Sequence, residues 1–378
     1  MKSILPRRFF LCYFETTRAC PQSCTYCMTA LDGSAPGGSE LSTDEAKHLV
    51  LDEVRKYSSH AAVAFSGGEF LKRGDALDLL AHNASLGQWA FINTCGTLLT
   101  PALAEEIKAA AKGRVVCVFS LDSLRPPEGG VGRQGALEMI EAKTGLCREK
   151  GIPYFFIITI TKHNLPELEE VFAYASRDDT PVLRSPFVPR GRGAHHRELM
   201  FDRNDMEHRI HPVLRRTWQG YISYTPFFAA PTFFRKNWLR ARLALGQLGC
   251  QAGKGYVGIS AEGDVAPCVH LLDSPAVVGN VRRSPLAALL ENDPTLAALR
   301  SRKTYTGNCG RCRYKGTCGG CRALAYHQGG DLFGGDPTCF CEPGSDGSRS
   351  PHEAEQNANL GRFAEFHRAH SPWKDTFR

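Results

Sequence analysis

Long apolar runs are missing from this 378-residue chain, and without about 20 consecutive apolar residues no helix is expected to cross a membrane. The greasiest segment, residues 221–234, is interrupted by Pro226 and Pro231. A secretory signal is lacking too. The opening MKSILPRRFFLCYF is basic and then apolar, but its apolar part is short and runs on with no cleavage site. There is no long basic run and no nucleic-acid motif, which argues against a nucleic-acid partner. Nor does the chain repeat itself, which sets aside repeat architectures.

What is present is a globular composition, 42% hydrophobic, enough for one large domain and a smaller one. Fifteen cysteines in a chain without an export signal argue for reduced thiols that bind metal rather than for disulfides, and so for a cytoplasmic protein. The net charge of +7 suits an acidic electron donor, a carboxylate-rich substrate or an acidic peptide.

Short β-branched or aromatic runs alternate with amphipathic stretches, the pattern of a parallel sheet covered by helices. Strands are expected at residues 10–16, 61–65, 90–94, 115–121, 154–161 and 181–187. The first helix has a marked start, with Ser42 and Glu45 at capping-box spacing before Ala46, Leu49, Val50 and Val54. In a barrel of parallel strands, functional groups gather at the carboxyl ends of the strands.

Directly after the first expected strand stands CPQSCTYC, with Cys20, Cys24 and Cys27. Three thiolates wrap one face of a cubane cluster and leave its fourth iron open, although three ligands of a zinc site meet the same spacing. After the second strand comes Ser66-Gly67-Gly68-Glu69, after the third Asn93-Thr94-Cys95-Gly96-Thr97, and after the fourth Ser120-Leu121-Asp122. Glycines let a backbone come close to a ligand, and a carboxylate accepts hydrogen bonds from an ammonium group.

Further on, Cys250 and Cys268 flank an expected hairpin at residues 256–260 and 264–267. Cys309, Cys312, Cys318 and Cys321 follow as C-x2-C-x5-C-x2-C, with Cys339 after a gap. Paired CxxC units also serve zinc ribbons. Cys12, Cys117 and Cys147 sit in apolar settings and read as core residues.

Taken together these motifs resemble the radical SAM superfamily, with the downstream cysteines similar to its SPASM extension. The resemblance implies an α/β fold, a partial (β/α)6 TIM-like barrel with a small iron–sulfur domain. It implies that Cys20, Cys24 and Cys27 carry a [4Fe-4S] cluster whose open iron is chelated by S-adenosylmethionine, with Tyr26 beside the adenine. Gly67, Gly68 and Glu69 would hold the methionine amino group. Asn93 and Thr94 match the family's TNGTLL segment, with Cys95 where asparagine is more usual, and Ser120 and Asp122 would face the ribose. No glycine-rich adenine motif stands out in the fifth strand. Cys309, Cys312, Cys318 and Cys339 would bind one auxiliary cluster. Cys250, Cys268 and Cys321 would bind another, which is one ligand short: either an iron stays open, or Cys341 or another group fills it, or this second cluster is absent.

The implied chemistry is reductive cleavage of S-adenosylmethionine and removal of a hydrogen atom from substrate. A low-potential donor, flavodoxin or ferredoxin, is the implied partner. The downstream segment from Val278 to Cys339 looks most like enzymes that alter propionate groups of carboxylated tetrapyrroles in the alternative haem and denitrification-haem pathways. Arg184, Arg190 and Arg192 are then candidates to meet carboxylates, or else they solvate a loop. His270 is a candidate acid or base, or a structural histidine. The alternatives are a maturase of ribosomally made peptides, helped by a separate leader-binding protein since no such domain precedes the barrel, and a non-catalytic metal or electron-transfer protein. The expected layout is a barrel over 1–220, a linker or substrate-facing segment over 221–245, the cluster domain over 246–342 and a polar tail over 343–378.

Overall fold

The computed structural model describes residues 10–30, 39–125, 136–177, 180, 182–213, 249–312, 315–316 and 318–340. The segment 221–245, the polar tail and Cys341 lie outside them.

Six parallel strands form the body of the sheet: β1 (Phe10–Thr17), β2 (Ala61–Gly67), β3 (Trp89–Thr94), β4 (Val115–Ser120), β5 (Tyr154–Ile160) and β6 (Val182–Pro186). They pair in sequence order, β6-β5-β4-β3-β2-β1. Each neighbour is reached through a helical crossover, which is how parallel strands must be joined. Because helices cover the outer face and the barrel interior is also filled, the strands are near-continuous apolar runs: in β2 every residue but the last is buried.

The Ser42–Glu45 capping box is present, with the serine side chain accepting from the Glu45 N–H and the glutamate accepting from the Ser42 N–H. From it α1 (Thr43–Glu45) passes without a break through a π-helical stretch, Ala46–Leu51, into α2 (Asp52–Tyr57). The later barrel helices are α3 (Ala76–Ser85), α4 (Pro101–Ala110), α5 (Ala136–Lys150) and α6 (Leu168–Ala175). Thr100 caps α4 by accepting from the Leu103 N–H, with proline at the first helical position. Cys12, Cys117 and Cys147 are buried in the core.

The expected hairpin forms as β7 (Tyr256–Ile259) and β8 (Asp264–Ala266), antiparallel, and β9 (Gly279–Asn280) extends it. Its placement is not legible in the cysteine spacing. β7 lies parallel to β1, from Leu11 opposite Tyr256 to Phe14 opposite Ile259, so the hairpin continues the barrel sheet to nine strands. Gly258 lets the segment after β8 pack closely on β7, since a Cβ there would stand 2.6 Å from the Val269 Cα.

A buried ion cluster pins the same seam. Arg190, after β6, donates to both carboxylate oxygens of Glu15 on β1 at 2.6 and 3.0 Å, and to Asp273 at 2.7 and 3.4 Å. It also donates to the Val269 carbonyl. The side chains of Arg190 and Glu15 are fully buried. Neither reading of Arg190 from sequence holds. It neither solvates a loop nor is left over for a substrate, because its donors are spent on joining three chain segments.

Candidate active site

At the carboxyl ends of the strands the apolar runs give way to small polar residues. Ser66, Asn93, Thr94, Ser120, Thr159 and Ser185, one or two from each of β2 to β6 or just beyond, line a cavity of about 120 Å³. The cysteine loop forms its opposite wall, with Cys20, Cys24, Tyr26 and Cys27 all facing it. Gly67, Gly68 and Cys95 complete the floor, and His270, from the segment following β8, closes the side.

Backbone contacts position the cysteine loop. The N–H groups of Gly68 and Glu69 donate to the carbonyls of Thr17 and Ala19 at 2.7 and 2.9 Å. Gly67 has φ +115°, and a Cβ on it would lie 2.2 Å from the Thr17 oxygen; one on Gly68 would lie 2.4 Å from the Ala19 oxygen. These glycines therefore allow one loop to approach the other, in addition to leaving room for a ligand. Gly68→Ala is expected to displace the loop and cut S-adenosylmethionine cleavage by about 10²-fold, the usual cost of a misplacement near 1 Å. Equilibrium binding of S-adenosylmethionine, compared with that of Gly74→Ala, where a Cβ meets nothing within 4 Å, checks this.

Two arginines, Arg18 and Arg192, hold the loop from outside, and a third, Arg73, braces the end of β1 that leads into it. Arg18 donates to both oxygens of Glu262, in the β7–β8 turn, and to the Thr29 carbonyl. Arg73 reaches the carbonyls of Thr16 and Leu41. Arg192 donates to the Cys24 carbonyl at 2.8 Å, so that it too serves the loop rather than solvent. Arg184 is half-buried on β6.

Glu69 is fully buried. Its carboxylate accepts from Thr94 Oγ1 at 3.0 Å, the Cys95 N–H at 2.8 Å and the Leu71 N–H. Among the described residues it meets no cation, so this buried carboxyl group stands behind Gly67 and Gly68 with only neutral donors around it. An ammonium group in the cavity would complete it. Asn93 donates to the Tyr13 hydroxyl. Tyr26 packs on Phe187 and donates to Asp122 Oδ2 at 2.7 Å, while Asp122 Oδ1 accepts from the Thr159 N–H. Ser120 thus faces the cavity, whereas Asp122 locks β4, β5 and the cysteine loop together behind its wall. The Cys95 thiol contacts Thr97 and is pushed up to about 12, chiefly by burial.

The sulfurs are prepared for anionic ligation. Cys20 Sγ accepts from the Gln22 N–H and Cys27 Sγ from the Ala30 N–H, both at 3.4 Å. Burial holds Cys20 above the ordinary thiol range, so a bound cation must drive off its proton. Downstream, Cys250, Cys268 and Cys321 lie near enough to feel one another's charge, as do Cys309, Cys312 and Cys318. Burial lifts the Cys318 thiol to about 12. Asp336, which the sequence pattern does not single out, ties the two groups. Its N–H donates to Cys309 Sγ, its carbonyl accepts from the Cys339 N–H, and its carboxylate accepts from the Cys321 N–H at 2.7 Å.

Among the described residues no three cysteine sulfurs lie within 4.8 Å of one another; the one triad of ligating atoms so close is His48, Asp52 and His82, on the covering helices. His270 is buried, with Nε2 3.2 Å from Ser185 Oγ, and burial pushes it down to about 3. Burial thus favours the neutral form of its ring.

A parallel partial barrel whose three-cysteine loop faces one strand-end cavity, with a buried glutamate behind the Gly67-Gly68 turn that lines it, joined to a second cysteine field, defines a radical SAM enzyme. Residues 14–175 match the radical SAM superfamily and residues 250–313 the SPASM iron–sulfur cluster-binding domain, and the chain belongs to that superfamily. It is 31% identical over 344 residues to an AdoMet-dependent heme synthase of Methanosarcina barkeri, covering 88% of this chain and 96% of that protein. An AdoMet-dependent heme synthase of Nitratidesulfovibrio vulgaris is 30% identical over 348 residues, covering 87% and 92%. In fold the chain is similar to Streptococcus suis SuiB bound to S-adenosylmethionine, with a TM-score of 0.63 at 17% identity over 89% of this chain and 78% of that one. The protein is thus an iron–sulfur enzyme that uses S-adenosylmethionine. No helix among the described residues is long and apolar enough to cross a membrane.

Proposed function

We propose that this enzyme removes a hydrogen atom from a propionate side chain of an iron-bound, carboxylated tetrapyrrole and converts that side chain to vinyl. The observation that carries this reading is likeness along nearly the whole chain to proteins named AdoMet-dependent heme synthase, which takes in the barrel and the second cysteine field together. Cys20, Cys24 and Cys27 are the proposed ligands of the barrel cluster, and Glu69 with Gly67 and Gly68 the proposed seat of the S-adenosylmethionine ammonium. When bound, cluster and S-adenosylmethionine supply a 5'-deoxyadenosyl radical.

The chain's own contribution is placement and enclosure. Arg18 and Arg192 fix the loop backbone, and Arg73 the strand end before it. Asn93, Ser120 and Thr159 offer polar atoms to the ribose and methionine side of the cavity. Phe187, Ile157 and Val188 give it an apolar wall that keeps water from a reactive carbon. Loss of a hydrogen atom from the propionate carbon next to the ring, then of CO2 and one electron, leaves the vinyl group. The leftover electron needs an acceptor, and the downstream clusters are the proposed one.

The test is anaerobic reconstitution with iron, S-adenosylmethionine, a low-potential reductant and iron-coproporphyrin III. The expected products are 5'-deoxyadenosine and a tetrapyrrole lighter by CO2 and two hydrogens per altered propionate. Formation of 5'-deoxyadenosine with the tetrapyrrole mass unchanged overturns the substrate, and modification of a peptide instead favours a maturase.

A further inference from the structure

Arg322 follows directly on Cys321 and is fully buried. A guanidinium does not lose its proton inside a protein, and a buried charge is costly unless an opposite charge meets it. Among the described residues Arg322 makes no ion pair with a carboxylate. The nearby carboxylate of Asp336 is turned instead to the N–H groups of Cys321 and Thr338 and to the Thr338 hydroxyl. The guanidinium donates to the carbonyls of Leu332 and Gly334 at 3.0 and 2.8 Å, and lies over the Tyr305 ring at 4.4 Å. Its Nε has no hydrogen-bond partner. The remaining contact is from Nη2 to Cys309 Sγ at 3.4 Å. Gly320 makes room for it, since a Cβ there would stand 2.7 Å from that sulfur and 2.8 Å from Nη2.

We infer that Arg322 is the fixed counter-ion of the auxiliary cluster held through Cys309, and that it raises that cluster's reduction potential so that it accepts the electron released by the substrate. Two carbonyls and a ring offer only partial negative charge, and the Asp336 carboxylate, though near, is hydrogen-bonded elsewhere, so the anionic group in direct contact with the guanidinium is the thiolate-ligated cluster that Cys309 joins. Reduction adds one electron to that anion, and a cation held against one of its sulfurs stabilises the reduced form more than the oxidised one. Arg322 is a positioning residue in this sense, since it acts on the substrate through the cluster. The electron-accepting role rests on the proposed reaction, whereas the effect on potential is measured with no substrate present, so either can fail alone.

The experiment is a potentiometric titration followed by electron paramagnetic resonance, in full-length protein bearing Cys20→Ala, Cys24→Ala and Cys27→Ala, so that only auxiliary signals remain. Arg322→Gln is expected to lower the reduced-to-oxidised ratio of the cluster at a given ambient potential by about tenfold, equivalent to about 59 mV for one electron. Arg322→Lys, which keeps the charge, is expected to stay close to the parent. If glutamine proves too disruptive and the cluster is lost, its retention in Arg322→Lys by iron count still supports the counter-ion role. Loss in both variants assigns Arg322 to packing and overturns the inference. So do equal potentials in parent and Arg322→Gln, or a zinc-loaded module with no titratable signal.

Discussion

Cys24→Ala is expected to abolish cleavage of S-adenosylmethionine outright, while Cys309→Ala keeps cleavage and loses turnover of the proposed tetrapyrrole substrate. The contrast follows from where the two sulfurs stand. Cys24 is buried against the strand-end cavity, in a loop whose backbone is fixed by Gly68, Glu69 and Arg192. With three ligands for four irons there is no spare thiol, so removing one removes the cluster. Cys309 lies in the other field, under Arg322 and Asp336, and is not part of that cavity wall. Assaying 5'-deoxyadenosine and tetrapyrrole product side by side separates the two. Retained cleavage in Cys24→Ala would remove the loop from the chemistry.

The largest expected effect on stability is at Arg190. Its replacement by alanine leaves the Glu15 carboxylate fully buried with no cation against it, and breaking a buried pair in this way costs about 3–5 kcal/mol. A urea midpoint measured at constant slope reports the loss. The double variant Glu15→Leu, Arg190→Met, which removes both charges and keeps the volume, is expected to recover most of it. A double variant no more stable than Arg190→Ala would mean that the hydrogen bonds to Val269 and Asp273, rather than the charge pair, carry the effect.

Much of the barrel was legible because parallel strands covered on both faces must be apolar throughout. All six expected strands appear within two residues of their bounds. The cysteine loop, the Gly-Gly-Glu turn and the polar strand ends were legible for a related reason: chemistry at the carboxyl edge needs residue types that break an apolar run. Long-range pairings left no such trace. Nothing in the local pattern of YVGI says that it will lie beside β1 rather than form a free hairpin. Arg190 and Arg192 looked alike in sequence, yet one is an internal ion and the other a clasp on a carbonyl, because their roles depend on what the fold brings opposite them. Asp122 reads from its motif as a ribose contact, and its pairing with the Tyr26 hydroxyl and the Thr159 N–H left no trace in the sequence. Asp336 and Arg322 carried no signal beyond standing near cysteines.

The pairing of β7 with β1 also governs the order in which the molecule is assembled. During synthesis β1 emerges first, and β2 soon offers it one partner, but its other edge waits for residues 256–259. Until then the nascent barrel exposes a row of unpaired backbone groups beside the segment that leads into the cysteine loop, a surface open to wrong pairing. The sheet is therefore finished only after the residues of β7, β8 and β9 have been made. The first strand made is among the last to be sealed, and the iron-binding loop that follows it acquires its final wall late, from the C-terminal part of the same chain.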